Sequence, residues 1–253
     1  MQYRNNYLKN VIFRIDFVQP LGQGKKQIED FHNFVKEAFP KKESIKLTVL
    51  HAQVVAKKDH NKVSQSAENL TNYKFSDETQ TIILMLEPKS NINILFNTYK
   101  NSKELKNIIC LVIDAISKIY GEIEIKRTGL RYINDIVLPE GNTFDWTAFI
   151  NRSLISCLDF VPEKENLSRA MGIIELNREN HKVLFQFGMY NPDHPNSIAQ
   201  KVFVLDYDCY TTEELKTSDI IEMVDTLQKD EEELFERSIE NGLREKMVVI
   251  ADE

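Results

Sequence analysis

Hydrophobic and polar residues alternate along several short segments of the chain. The clearest example comes first, where Val11, Phe13, Ile15 and Phe17 are separated by single residues. A period of two is typical of a β-strand that buries one face. Residues 57–72 are polar and show no periodicity, so an exposed connection is expected there. Further strands are predicted over residues 47–56, 81–87, 91–98, 170–176, 183–188 and 201–208, and from residue 123 onward.

Other segments repeat their hydrophobic residues at helical spacing. The strongest stripe covers residues 105–116 and predicts a helix with Ser102 as its N-cap and Gly121 at its end. A long C-terminal helix is predicted over residues 219–243, on the order of 35–40 Å at 1.5 Å per residue. Its acidic residues 230–233 are expected to form a solvated face. Shorter helices are predicted over residues 28–38 and 146–158.

The order of these elements indicates the fold class. Strands arrive in runs and do not alternate strictly with helices, which favours an α+β fold over a doubly wound parallel sheet. We therefore expect a largely antiparallel, curved sheet packed by helices on one face, with a long C-terminal helix. Residues 1–253 are interpreted as a single domain, with halves 1–140 and 141–253 as an alternative division.

Composition narrows the classes of partner. The chain has 253 residues and a formal net charge of −7. An acidic total lowers the expectation of nucleic-acid or anionic-membrane binding. No apolar run is long enough to span a membrane, and the polar N-terminus lacks a signal peptide. Because Cys110, Cys157 and Cys209 are odd in number and far apart, they indicate reduced packing residues in a cytoplasmic protein.

Residues 127–134 form the most unusual segment, because they place two arginines on a strand expected inside the sheet. If buried, Arg127 and Arg131 need partners, since removing one partner of a buried ion pair costs about 3–5 kcal/mol. Alternatively, the two arginines face a groove and hold an anionic ligand in bidentate fashion. Their natural carboxylate partners are Asp16, Asp206 and Asp208.

The same strand supplies the predicted binding residues. Gly129 lies where the alternation of large residues changes parity, which predicts a β-bulge or a close backbone approach. The residues expected to bind a ligand or partner are Arg127, Arg131, Tyr132 and Asn134.

Two aspartates on a later strand give an alternative chemistry. Asp206 and Asp208 alternate and so share one face, about 7 Å apart along the strand. Such a pair can bind a divalent metal or act as acid and base, although a strand with one wet face shows the same pattern. No nucleophile, phosphate-loop or zinc-ligand signature accompanies them. No cofactor is therefore predicted, and a divalent metal stays the alternative.

The octapeptide 127–134 carries a family resemblance through its R-x-G-L-R-Y-x-N pattern. It resembles a sporadically distributed, functionally uncharacterised family of prokaryotic proteins of about this length. Residues 10–17, 31–40, 205–208 and 235–244 resemble further segments of that family. The resemblance implies no established activity or catalytic residues. Its patchy distribution is similar to that of horizontally exchanged genes, including phage-defence and toxin–antitoxin loci.

These observations favour a non-enzymatic binding or adaptor protein that acts with a protein partner and with no membrane. One alternative is a metal-dependent enzyme that acts on nucleic acid or a phosphate ester through Asp206 and Asp208. Another is a nucleic-acid-binding protein without catalysis, which the acidic total charge does not favour. Its basic groove would use Lys41, Lys42, Lys57, Lys58 and Lys62.

Overall fold

The computed structural model describes residues 2–22, 24–56 and 61–250. After a two-residue strand, the first half consists of a strand, a helix, four strands and a second helix. These elements are β1 (Gln2–Tyr3), β2 (Leu8–Phe17), α1 (Lys25–Val35), β3 (Lys41–Ala56), β4 (Asn61–Ser76), β5 (Ile82–Glu87), β6 (Asn91–Phe96) and α2 (Ser102–Tyr120).

The second half repeats this order of element types with one strand fewer in its meander. It starts with a long strand and ends with a long helix and a short one. Its elements are β7 (Glu124–Val137), α3 (Arg152–Ile155), β8 (Ala170–Asn177), β9 (Lys182–Met189), β10 (Val202–Thr211), β11 (Leu215–Lys216), α4 (Ile220–Ser238), α5 (Asn241–Met247) and β12 (Val249–Ile250). This half begins with β7 at Glu124, which lies before the boundary at residue 140 in the alternative division of the chain.

Both halves contribute to one antiparallel sheet, with strand order β3-β4-β5-β6-β2-β7-β10-β9-β8. The first strands of the two halves, β2 and β7, lie side by side near its centre. The short β11 pairs with β7 beyond the end of β10. A separate two-stranded ribbon joins β1 to β12. The predicted α+β class, with its largely antiparallel sheet, is confirmed.

One face of the sheet forms the core and is covered by the helices. In β2 the predicted alternation is confirmed, since Val11, Phe13, Ile15 and Phe17 are all buried. The stripe of α2 packs into the same core through residues such as Ile109. Burying such side chains contributes about 1.5–3 kcal/mol each. We call the opposite side of the sheet the open face; it carries the half-exposed side chains of the central strands.

Several local predictions were wrong. Residues 61–72 are not a connection, because they belong to β4 and pair along β3; residues 57–60 lie outside the described part of the chain. Asn101, not Ser102, caps α2 by accepting a hydrogen bond from the Glu104 N–H at 2.8 Å. Gly121 does end α2, with a φ of 78° that suits glycine.

The C-terminal helix is shorter than predicted. α4 ends at Ser238, and α5 begins at Asn241 after a break. The break has a tertiary cause, because Ile239 forms an isolated bridge with Ile150 and the Asn151 N–H donates to the Ser238 carbonyl. Nineteen residues give α4 a length of about 28 Å. Across 146–158, the structure has only the short α3 and a 3₁₀ turn from Ser156.

No helix in the described residues has the length and hydropathy needed to cross a bilayer.

Candidate functional site

The arginine-bearing segment lies on β7, between β2 and β10. Because side chains alternate across a strand, the segment divides between the two faces of the sheet. Arg127 and Arg131 are half-buried on the open face, whereas Tyr132 and Asn134 are buried on the helix-covered face. The four predicted binding residues therefore do not form one site.

Arg127 reaches Asp208 by crossing the glycine of the motif. Its Nη2 lies 3.1 Å from Asp208 Oδ2, and its guanidinium carbon lies 4.7 Å from the centre of the Tyr210 ring. A Cβ on Gly129 would lie 3.0 Å from Arg127 Nη1 and 3.3 Å from Tyr210 Cβ. Gly129 pairs without a register break with both neighbouring strands, so the predicted bulge is wrong there. The glycine instead makes room for the arginine side chain.

Arg131 makes the more regular ion pair. Its Nε and Nη2 donate to the two oxygens of Asp206 at 2.8 and 2.6 Å, which is bidentate geometry. These hydrogen bonds raise the pKa of Arg131 above its ordinary value. Of the other predicted partners, Asp16 instead accepts from Arg14 at 2.7 Å. Both arginines of the motif are thus held by carboxylates.

The two aspartates of the alternative metal site are the same two carboxylates. Burial raises the pKa of Asp208, and the nearby charges of Arg127 and Arg131 oppose that rise only in part. No group of three or more His, Cys, Asp and Glu side chains suited to a metal occurs among the described residues. Metal binding would have to compete with the guanidinium groups already in contact. The divalent-metal hypothesis stays a prediction.

The helix-covered face of β7 borders a cavity of about 350 Å³ between the start of α2 and the middle of α4. Tyr132 and Asn134 line it from the sheet, and Tyr99 contributes an edge-on ring 5.9 Å from that of Tyr132. Asn134 Nδ2 donates to the Leu205 carbonyl at 3.3 Å. The Tyr132 hydroxyl is buried, and its interaction with the Tyr99 side chain does not reach hydrogen-bond geometry.

Glu231 on α4 lines the same cavity. It is only 4% exposed, and within the described part of the chain its carboxyl group has neither a hydrogen bond nor an ion pair. Burial raises the pKa of Glu231 well above its ordinary value, and the negative charge of Glu232 adds to the rise. A buried acid without a partner is costly, so Glu231 is the most unusual polar group in this part of the fold.

Sequence reasoning missed Glu231. It assigned residues 230–233 to a solvated face, and that prediction is wrong for two of them. Asp230 accepts from both Arg178 and His181 at 2.9 Å, whereas Glu231 lies in the core-facing stripe of α4. The available signal was spacing, since Glu231 falls four residues after Leu227 and three before Leu234.

The hairpin of β3 and β4 is a third feature, at one edge of the sheet. Its strands pair along their whole length, but β5 pairs only with Tyr73–Ser76 of β4. We call the rest, residues 45–56 and 61–72, the hairpin arm. At about 3.3 Å per residue, twelve pairs give the arm a length of roughly 40 Å.

Comparison with known proteins adds no family. No protein-family model matches the chain, and no curated protein matches it. The resemblance seen through residues 127–134 therefore stays a prediction.

Proposed function

We propose that this protein is a non-enzymatic adaptor that binds an acidic protein partner through its hairpin arm. The observation that carries the proposal is the charge of the β3–β4 hairpin. Residues 41–76 contain seven lysines and three acidic residues, a formal charge of +4, which leaves −11 for the remainder of a chain whose total is −7. Opposite charge on two parts of one chain favours a partner with an acidic surface for the basic part.

The apolar side chains of the arm favour a protein over a nucleic acid. Leu47 is 43% exposed and Leu50 is 79% exposed. They differ by an odd number of positions, so they lie on opposite faces of the arm. Exposed leucines suit the apolar centre of a protein interface, whereas nucleic-acid interfaces are more polar and more strongly basic.

The isolation of the arm also supports a partner. A two-stranded ribbon is marginally stable in water, because it has no third strand or helix to cover it. The base of this hairpin is tied to the body through Lys42 and Glu29 at 2.6 Å and through Lys41 and the Glu78 carbonyl at 2.7 Å. The arm itself contacts the body through the ion pair of Glu68 with Lys89. A partner that covers the arm would bury its leucines and neutralise its lysines.

The resemblance to a sporadically distributed family supports a further proposal about context. We propose that the partner is encoded beside this protein in an exchanged locus of the phage-defence or toxin–antitoxin type. The proposed location is the cytoplasm.

The test is reconstitution with the partner purified from the native cells, measured by light scattering and titration. We expect charge reversal on the arm to weaken binding by at least about tenfold, more at low salt than at high salt. The arm variant is Lys46→Glu with Lys62→Glu. The matched control reverses two exposed lysines on the helices: Lys26→Glu and Lys103→Glu.

Two further variants locate the interface. Leu50→Glu on the arm should abolish binding, whereas Ile173→Glu on the opposite edge strand β8, where Ile173 is 66% exposed, should preserve it. The reverse result would overturn the arm as the interface. If nuclease treatment dissociates the complex, the partner is a nucleic acid and not a protein. If the complex contains only this chain, the partner is a second copy of it.

A further inference from the structure

The cavity beside β7 has no part in the adaptor proposal, yet its walls have a consistent chemistry. The rings of Tyr99, Tyr132 and Phe235 contribute aromatic surface. Glu231 and Glu232 contribute carboxyl groups from adjacent positions on α4. Aromatic faces and carboxylates both attract cations. From this combination we infer that the cavity binds a small organic cation bearing an ammonium group, with Glu231 as its counter-ion.

The other charged groups of the wall already have partners within the chain. Glu236 accepts from the Tyr3 hydroxyl at 2.6 Å and from Arg244 Nε at 3.1 Å. Lys100 donates to Glu104 at 2.8 Å, so its charge is neutralised locally. Among the acids of this wall, Glu231 alone has no partner within the described chain.

The size of the cavity limits the ligand. About 350 Å³ lies at the lower end of the range for small-molecule pockets. A short alkylammonium fits such a space, with its charged group at Glu231 and its carbon chain against Tyr99 and Phe235. Tyr132 lines the same cavity beside Tyr99, and its hydroxyl oxygen supplies a hydrogen-bond acceptor for the ammonium group.

The ligand also accounts for the cost of a buried, unpaired acid. In the empty protein burial raises the pKa of Glu231 and disfavours its carboxylate form. A bound ammonium supplies the missing positive charge and favours the carboxylate. Binding should therefore release the proton of Glu231 to the solvent, and the ionised pair then forms inside the cavity.

The experiment titrates the full-length protein with n-butylammonium chloride in a calorimeter, with neutral n-butanol as the isosteric control and sodium chloride as the ionic control. We expect the ammonium to bind and the alcohol and sodium to give no comparable heat. If n-butanol bound equally well, the cavity would recognise the alkyl chain and not the positive charge, and the inference would be overturned. So would a failure of n-butylammonium and of related short alkylammonium and diammonium salts to bind.

Matched variants place the binding on one carboxyl group. Glu231→Gln keeps the shape of the side chain and should weaken n-butylammonium binding by at least about tenfold. Glu233→Gln makes the same side-chain replacement at an exposed position of the same helix and should leave affinity within about twofold. Equal effects of the two variants would contradict a direct contact with Glu231.

A measurement on the unaltered protein keeps the inference testable if Glu231→Gln does not fold. The heat of binding is measured in two buffers that differ in their enthalpy of ionisation. Release of the Glu231 proton predicts different heats in the two buffers, and identical heats would overturn the proposed ion pair.

Discussion

The polar groups on the two faces of β7 differ in whether they have partners within the chain. On the open face, Arg127 and Arg131 are half-buried, and each is paired with an aspartate of β10. On the helix-covered face, Glu231 is buried and its carboxyl group has no hydrogen bond or ion pair among the described residues. The buried Tyr132 hydroxyl interacts with the Tyr99 side chain. The face with more charge is thus the one that is internally satisfied.

This difference separates structural from functional candidates. The arginines stand out in the sequence, but their charges are used to join β7 to β10. The glutamate is inconspicuous in an acidic helix, but the fold leaves it unpaired beside a cavity. Unsatisfied buried groups need an explanation that packing does not supply. Glu231 is therefore a stronger candidate for a ligand-binding group than Arg127 or Arg131.

The largest effect is expected from Glu231→Gln as the pH is varied. The folded protein keeps a proton on Glu231 that the unfolded chain loses above a pKa near 4.5. Stability of the wild type should therefore fall as pH rises, until the raised folded pKa is reached. Glu231→Gln does not show this loss of stability. Its free energy of unfolding should therefore rise relative to that of the wild type by at most about 1.4 kcal/mol per pH unit. Urea unfolding at several pH values measures it.

Glu233→Gln serves as the control in that series and should follow the wild type. Parallel curves for the wild type and Glu231→Gln would contradict a buried, protonated Glu231. The neighbouring titratable groups are present in all three proteins, and Glu232 is the one among them whose charge raises the pKa of Glu231. They are Tyr3, Tyr99, Lys100, Tyr132, Glu232 and Glu236.

A smaller effect is expected on the open face from Arg131→Ala. Its partner Asp206 has a side chain only 12% exposed and would lose two charge-assisted hydrogen bonds. We expect the free energy of unfolding to fall by about 2 kcal/mol. Arg14→Ala, whose side chain is 43% exposed, should cost less than about 1 kcal/mol. Chemical denaturation of both variants checks this prediction.

The double variant Arg131→Ala with Asp206→Ala sharpens that result. Removing both partners leaves no unpaired aspartate, so it should recover part of the loss. If Arg131→Ala were as stable as the wild type, the arginine would be free for a ligand, and the contrast between the two faces would fail.

The smallest effect is expected from Gly129→Ala. The added methyl group would press on Arg127 Nη1 and Tyr210 Cβ, and we expect a loss of about 1 kcal/mol. In an Arg127→Ala background most of this loss should disappear, because the guanidinium no longer crosses the glycine. A double-mutant cycle followed by thermal unfolding measures the coupling between the two substitutions. If Gly129→Ala lowered stability equally in both backgrounds, the glycine would be needed for a reason other than room for Arg127.

The fold was predictable where one face of an element is buried and the other is not. The alternation in β2 and the stripe in α2 both come from this asymmetry. The outer part of β4 was missed because the arm side chains that the structure describes, at residues 45–50 and 66–72, are not buried on either face, so no alternation is required of them. The end of α4 was misplaced because the pairing of Ile239 with Ile150 stops it, and that contact is distant in sequence.

The candidate site was only half predictable. Sequence alone singled out residues 127–134 and named Asp206 and Asp208 as arginine partners, since buried charges need counter-ions. It could not place Glu231 against Tyr132, because those residues lie on α4 and β7 and meet only when the helix packs on the sheet.

The sequence by itself determined the class of fold and most of the core strands, and it named carboxylates as candidate partners of Arg127 and Arg131 while leaving an anionic ligand open, because periodicity and charge act locally. The tertiary structure decided which face each polar group occupies, that the basic hairpin extends beyond the sheet, and that a cavity lies beside an unpaired acid. These features depend on strand order and helix packing, which bring together residues as distant in sequence as Tyr3 and Glu236, 233 positions apart, and which no local pattern encodes.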